Sequence, residues 1–148
     1  MQRFAESIDI DADTARVWRA LTIPAEVIRW DTAVVEALDA PPDYPRVGQH
    51  VRWRYPLVGL ALILHDRPTR VESRAILSSY IRLGPFDFAE TYTLCARGSS
   101  TQLSEELLVS SFVPMIGRLL LWFAGRSLAR SIVQGSLRAI KQHCEQAD

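Results

Sequence analysis

One stretch narrows the fold more than any other. Residues 112–146 read FVPMIGRLLLWFAGRSLARSIVQGSLRAIKQHCEQ. Pro114 fits the first turn of a helix, where its missing N–H is no loss, and no proline follows it. Nothing rigid therefore stops a helix of about nine turns. Leu119, Trp122, Arg126, Ala129, Val133, Leu137, Ile140 and Cys144 recur at three- and four-residue spacing and share one face. Arg126 is the one charge in that stripe. The opening MIGRLLLWFAG is apolar almost all the way round. The second half is amphipathic, with Arg130, Arg138 and Lys141 among its polar positions. A helix this long, with one over-apolar end, needs a large surface to lie on.

The preceding chain is patterned to supply one. Phe4, Glu6, Ile8 and Ile10 alternate with Ala5, Ser7 and Asp9, which predicts a half-buried strand. Asp11 or Asp13 caps a short helix whose apolar side is Val17, Trp18 and Leu21. Ile23-Pro24 breaks it, and a second short helix, Ala25 to Trp30, ends at Asp31. A strand over Ala33 to Leu38 and a proline-rich loop, Asp39 to Pro45, come next. After Gly48, Val51, Trp53 and Tyr55 share one face of a strand, and Arg52 and Arg54 the other.

Pro56 to Gly59 reads as a turn. Leu60 to Leu64 is apolar on both faces, which predicts deep burial, and Pro68 interrupts that strand or forces a bulge at an edge. Ile76 to Leu83 is a strand closed by Gly84-Pro85. Phe86 to Leu94 and Thr101 to Val109 form a hairpin joined by Ala96 to Ser100. The tally is an α+β domain over residues 1–148. Seven strands form a curved antiparallel sheet around the long C-terminal helix, and two short helices follow the first strand. The space between helix and sheet is a solid core if side chains fill it and a ligand cavity if they do not.

Charge and cysteines exclude several classes. Formal net charge is zero, so electrostatics give no support to a nucleic-acid partner. Sixteen of the seventeen basic residues are Arg, a bias that a GC-rich coding sequence explains more simply than a phosphate or carboxylate site. Residues 1–43 hold nine acids and four bases, and residues 113–148 hold five bases and two acids, as expected if the two ends of the chain meet. Cys95 and Cys144 have no metal-ligand spacing and read as reduced cytosolic thiols. No phosphate loop, metal motif or other cofactor signature is present. The N-terminus lacks an apolar signal core, and the longest apolar runs fall far short of a membrane span of about twenty residues. A cytoplasmic protein is the expectation.

The order of elements resembles the START-like SRPBCC superfamily, with its helix-grip fold, and within it the bacterial polyketide cyclase/dehydrase proteins. The likeness covers essentially the whole chain. Its most specific part is Glu6-Ser7-Ile8-Asp9-Ile10-Asp11-Ala12, then Val17-Trp18, then Leu21-Thr22-Ile23-Pro24 and Trp30-Asp31. Ile23 stands where the family usually has Asp. Val47-Gly48, Val71-Glu72 and the C-terminal Leu137, Ile140-Lys141 and Glu145 also match. These motifs mark the fold and are not catalytic signatures. The resemblance implies a hydrophobic small-molecule ligand, and either cyclase/dehydratase chemistry or a carrier role for a lipid, quinone or isoprenoid.

Alternation selects the candidate site. Glu105 shares a face with Leu103, Leu107 and Val109, and Glu90 shares one with Phe86, Phe88, Tyr92 and Leu94. A loop centred near residues 97–99 puts the two glutamates opposite each other or one diagonal step apart. With Tyr92, and Arg126 from the helix above, they form a candidate acid/base cluster. The competing reading has the glutamates in water at wet strand ends and Arg126 lying along the helix edge. His65, at the end of an apolar strand, is a further catalytic candidate or a rim residue bonded locally. His50 and His143 read as exposed. Trp30, Trp53, Tyr55, Tyr80, Phe86, Phe88, Leu119, Trp122 and Phe123 are candidate ligand-binding walls or simple core. Gly117, Gly125 and Gly135 either let the helix bend around a ligand or allow close packing on the sheet. Leu120 and Leu121, beside Arg118, read as a dimer contact, a cavity gate or a membrane-surface touch.

Overall fold

A computed structural model describes the backbone of residues 1–57, 59–84, 86–111 and 118–146, with side chains apart from 57, 111, 118–126 and 128. Strand β1, Gln2–Ile10, alternates as its sequence dictates, with Phe4, Glu6, Ile8 and Ile10 turned inward. Asp13 caps helix α1, Thr14–Thr22, by accepting from the Arg16 N–H at 2.8 Å. Helix α2, Pro24–Trp30, starts on its proline. Trp30 donates from its indole Nε1 to the Ala20 carbonyl at 2.7 Å, which ties α2 to α1.

Strands β2 (Glu36–Ala37), β3 (Val51–Leu57), β4 (Leu60–Glu72), β5 (Ile76–Leu83), β6 (Phe86–Arg97) and β7 (Ser100–Ser111) follow, then helix α3, Arg118–Glu145. All seven strands form one antiparallel sheet in the order β1-β7-β6-β5-β4-β3-β2. Helix α3 packs on β1 and β7 and touches both short helices. Val133, Leu137, Ile140 and Cys144 of its stripe are buried. The sheet and the C-terminal helix thus make the helix-grip arrangement. No helix among the described residues is long and apolar enough to cross a membrane.

The acid-rich N-terminal end does meet the basic C-terminal end. Lys141 Nζ donates to the Asp9 carbonyl at 2.7 Å, and the Asp11 N–H donates to Glu145 at 2.8 Å. Arg130 lies 3.3 Å from Glu6. His143, expected in solvent, is instead largely buried, with Nε2 3.0 Å from Glu26, which also pairs with Arg16 at 2.6 Å. The helix brings it down between α1 and α2, a contact that one-dimensional spacing does not reveal.

Three other expectations are corrected. The strand expected over Ala33 to Leu38 shrinks to Glu36–Ala37, because Asp31 accepts from the Ala33 N–H at 3.0 Å and turns the chain first. The turn expected over Pro56 to Gly59 is shorter, since β3 runs on to Leu57. Leu60 to Leu64 is not deeply buried: Leu60 is 64% exposed, and Leu62 to Leu64 are half-buried. This end of the β3–β4 hairpin runs past β2, which pairs only as far as Arg54. Pro68 does sit beside a bulge, between Pro68 and Arg70. The ladder to β3 has ended there at Asp66, so the bulge falls on a local edge. The possible dimer, gate or membrane contact at Arg118, Leu120 and Leu121 concerns side chains outside the described residues.

Candidate functional site

Two apolar clusters form on the concave side and do not fuse. One gathers Ile10, Val17, Leu21, Leu103, Leu137 and Ile140 beneath α3. The other gathers Val34, Val51 and Trp53, with Tyr44, Tyr55 and Leu64, at the β3 side. Between them lies a cavity of about 460 Å³, with walls drawn from both clusters and from Ile132, Gly135, Ser136 and Ala139 of α3. That size suits a small organic ligand.

A diagonal of polar side chains crosses its floor. Tyr92 of β6 stands opposite Glu105 of β7, and Glu90 stands opposite Leu107. The tight Gly98-Ser99 turn sets this register, with Gly98 at φ +64°. Glu90 and Glu105 are therefore one diagonal step apart. Ser79 of β5 stands opposite Glu90. Asp66 of β4 stands opposite Ile81, one diagonal step beyond Ser79. All of these side chains line the cavity.

The electrostatics follow from burial. Glu105 is 1% exposed and Asp66 6%. Desolvation raises Glu105 to about 10, helped by the charge of Glu90, while the Ser136 hydroxyl opposes the shift. Desolvation raises Glu90 to about 8, helped by Asp66 and Asp31. The Tyr92 hydroxyl donates to Glu90 Oε1 at a long 3.4 Å. At neutral pH both glutamates are carboxylic acids, each with a proton to donate. Asp66 is also raised by burial, but the Tyr44 hydroxyl opposes this by donating to its Oδ2 at 2.7 Å. Asp66 Oδ1 and Glu105 Oε2 are buried without a hydrogen-bond partner among the described residues.

The structure brings Glu90, Glu105 and Tyr92 together with Trp30, Trp53, Tyr55 and Phe88 around the cavity. Other candidates lie elsewhere. His65 projects from the opposite face of β4, between the lining residues Leu64 and Asp66, and stacks on His50 with Nδ1 2.9 Å from His50 Nε2. Tyr80 is likewise turned outward, between the lining residues Ser79 and Ile81, and is 36% exposed. Strand parity corrects the cavity reading of both, and His65 keeps the local bond that its alternative reading gave it. Phe86 has the inward parity but sits at the strand start, 36% exposed, and stacks on Phe88 without forming a wall. The side chains of Arg126, Leu119, Trp122 and Phe123 are outside the described residues.

Sequence reading passed over Asp66, Tyr44, Asp31 and Ser79. One signal was available for Asp66, which shares parity with Leu62 and Leu64 in a strand read as buried. Tyr44 carried no such signal, since a loop delivers it. The two readings of Gly135 also separate here. A methyl group built on it meets nothing within 4 Å, so close packing on the sheet is not its reason. Gly135→Ala is expected to raise stability by about 0.4–1 kcal/mol through helix propensity and a less flexible unfolded chain. Thermal denaturation measures this, and a fall in Tm would show that the position needs glycine.

An antiparallel sheet gripping a helix over a partly open core defines a hydrophobic ligand-binding fold. The chain belongs to the family described as polyketide cyclase / dehydrase and lipid transport, whose model matches residues 1–145. Solved structures agree on the fold. A protein from Mesorhizobium loti aligns with a TM-score of 0.75 at 20% identity, covering 99% of each chain. A START superfamily protein from Mycobacterium smegmatis aligns at 0.66 and 14% identity, covering 95% of this chain and 97% of that one. DynU16, from the dynemicin biosynthetic locus, aligns at 0.73 and 17% identity over 99% of this chain and 48% of its own. No curated protein matches the sequence.

Proposed function

We propose that the cavity binds an apolar, oxygenated small molecule and dehydrates or cyclises it by general acid–base chemistry on the Glu90–Glu105 pair. The observation that carries this reading is a carboxyl dyad, Glu105 buried and Glu90 half-buried, one diagonal step apart on the floor of a largely apolar cavity. Two interacting carboxyls with separated affinities for protons divide naturally into an acid and a base. Glu90, the readier to ionise, takes the proton from the carbon beside a substrate carbonyl. Glu105, the more firmly protonated, delivers its proton to the β-hydroxyl. The C–O bond breaks, water leaves, and the electron pair of the C–H bond becomes the new C=C bond. Tyr92, opposite Glu105, holds the carbonyl oxygen.

A second reading, a carrier for a lipid, quinone or isoprenoid, is supported by the neutral state of both acids, which leaves the floor uncharged for an apolar guest. One experiment separates the two. The protein is purified gently, weighed intact by native mass spectrometry, and any retained molecule identified. The protein is also incubated with the aldol of benzaldehyde and acetone, whose dehydration yields conjugated benzylideneacetone and a new absorbance. Catalysed enone formation, rising with pH as Glu90 ionises near 8 and falling as Glu105 ionises near 10, is the expected result. A lipid released unchanged, with no enone formed above the uncatalysed rate, would leave the carrier.

A further inference from the structure

The cavity floor offers two separate polar anchors, and they differ in kind. Glu105 Oε2 on β7 and Asp66 Oδ1 on β4 are both buried, both on the cavity and both unpartnered among the described residues. A buried polar oxygen left without a partner is costly, so a ligand that satisfies it is favoured. Glu105 is protonated and donates. Asp66 already accepts from the Tyr44 hydroxyl at 2.7 Å through Oδ2, and Oδ1 is the atom left facing the cavity without a partner among the described residues. Its free oxygen therefore accepts.

We infer that the ligand is bifunctional: an oxygen at one end, the leaving hydroxyl of a substrate or the carbonyl of a stable analogue, accepts from Glu105, and a hydroxyl at the other end donates to Asp66. Strands β7 and β4 are separated by three steps in the sheet, with β6 and β5 between them. Three steps at about 4.8 Å span about 14 Å. The diagonal adds a stagger along the strands, since the register carries Asp66 across to Val109 rather than Glu105. A hydrogen bond at each end shortens the span, so the two groups on the ligand are on the order of 10–15 Å apart. The apolar walls between them call for a rigid carbon skeleton. Asp66 then fixes which end of the substrate enters the acid pair, so it is a specificity residue rather than a catalytic one. This inference rests on the reading of the cavity given above.

The test uses matched probes on two skeletons, followed by quenching of the fluorescence of Trp30 and Trp53. The steroid set is testosterone (ketone and hydroxyl), androstenone (ketone only) and androstenol (hydroxyl only). The planar set is hydroxychalcone, chalcone and hydroxystilbene. In at least one set the bifunctional member is expected to bind about tenfold more tightly than either monofunctional one. Asp66→Asn keeps an acceptor for Tyr44 but points an amide donor at the ligand. It is expected to remove that advantage and leave the ketone-only probe unchanged, which also shows that the variant is folded. Glu105→Leu is expected to weaken both ketones and spare the hydroxyl-only probe. Equal affinities within both sets, or equal losses for all probes with Asp66→Asn, overturn the inference and leave the acid–base reading standing. No binding by any probe overturns both.

Discussion

Glu105→Gln is expected to lower the rate of dehydration by about 10²–10⁴-fold while leaving ligand affinity within a few-fold of the parent. The amide has the shape of the acid and still donates a hydrogen bond, so the ligand stays held. It has no proton to deliver to a leaving hydroxyl, so the step that Glu105 performs is lost. Single-turnover rates and equilibrium binding, measured on the same preparation, separate these effects. Should rate and affinity fall together, Glu105 is a binding group alone. Should neither change, the acid lies elsewhere. Glu90→Gln is expected to reduce the rate comparably and to abolish the rising limb of the pH profile near 8, because Glu90 supplies the base.

Native stability is expected to fall steeply between pH 5 and pH 8, with each of the two glutamates contributing up to about 1.4 kcal/mol per pH unit. The sign follows from proton counts. Both carboxyls are raised in the folded state from an ordinary value of 4.5, so above that pH the native protein holds protons that the unfolded chain has released. Their contribution is fully present below 4.5. It is lost as pH rises through about 8 for Glu90 and about 10 for Glu105. Asp66 and Asp31, also raised by burial, act in the same direction. Glu26, lowered by His143 and Arg16 against its own desolvation, acts oppositely and loses its contribution only as pH falls below 4.5. Urea denaturation across this range is expected to give a falling midpoint for the parent. A much flatter profile is expected for the double variant Glu90→Gln/Glu105→Gln. A flat parent profile would mean that the two carboxyls reach water.

That a site for chemistry works against stability is the physical content of both predictions. Two acids placed in an apolar space are kept neutral by their surroundings. The protein is most stable where they hold their protons, and the proposed chemistry needs one of them to let go. Gln at both positions is expected to relieve the conflict and to remove the activity.

Much of the scaffold was legible along the chain because its rules are local. Alternation assigned Phe4, Ile8 and Ile10 to the inner face of β1, and Trp53 and Tyr55 to that of β3. A cap at Asp11 or Asp13 and the break at Ile23-Pro24 marked the two short helices, and the structure selects Asp13 and starts the second helix on Pro24 itself. The spacing of Val133, Leu137, Ile140 and Cys144 marked the buried stripe of the last helix. Even the neighbourhood of Glu90 and Glu105 could be read, since a short hairpin loop leaves little freedom of register.

What the tertiary structure alone decided was where these faces point and what they enclose. The burial of Leu60 to Leu64 depends on how far β2 pairs along β3, which no property of that run encodes. His65 and Tyr80 have the chemistry of site residues but the wrong parity for a face defined by strands elsewhere. Asp66, Ser79 and Tyr44 come from two strands and a loop, and meet through the register of β4 on β5 and the path of the loop that delivers Tyr44. The cavity itself is a failure of two apolar clusters to merge. It is a property of packed volume, which a sequence of side chains constrains in sum but does not locate.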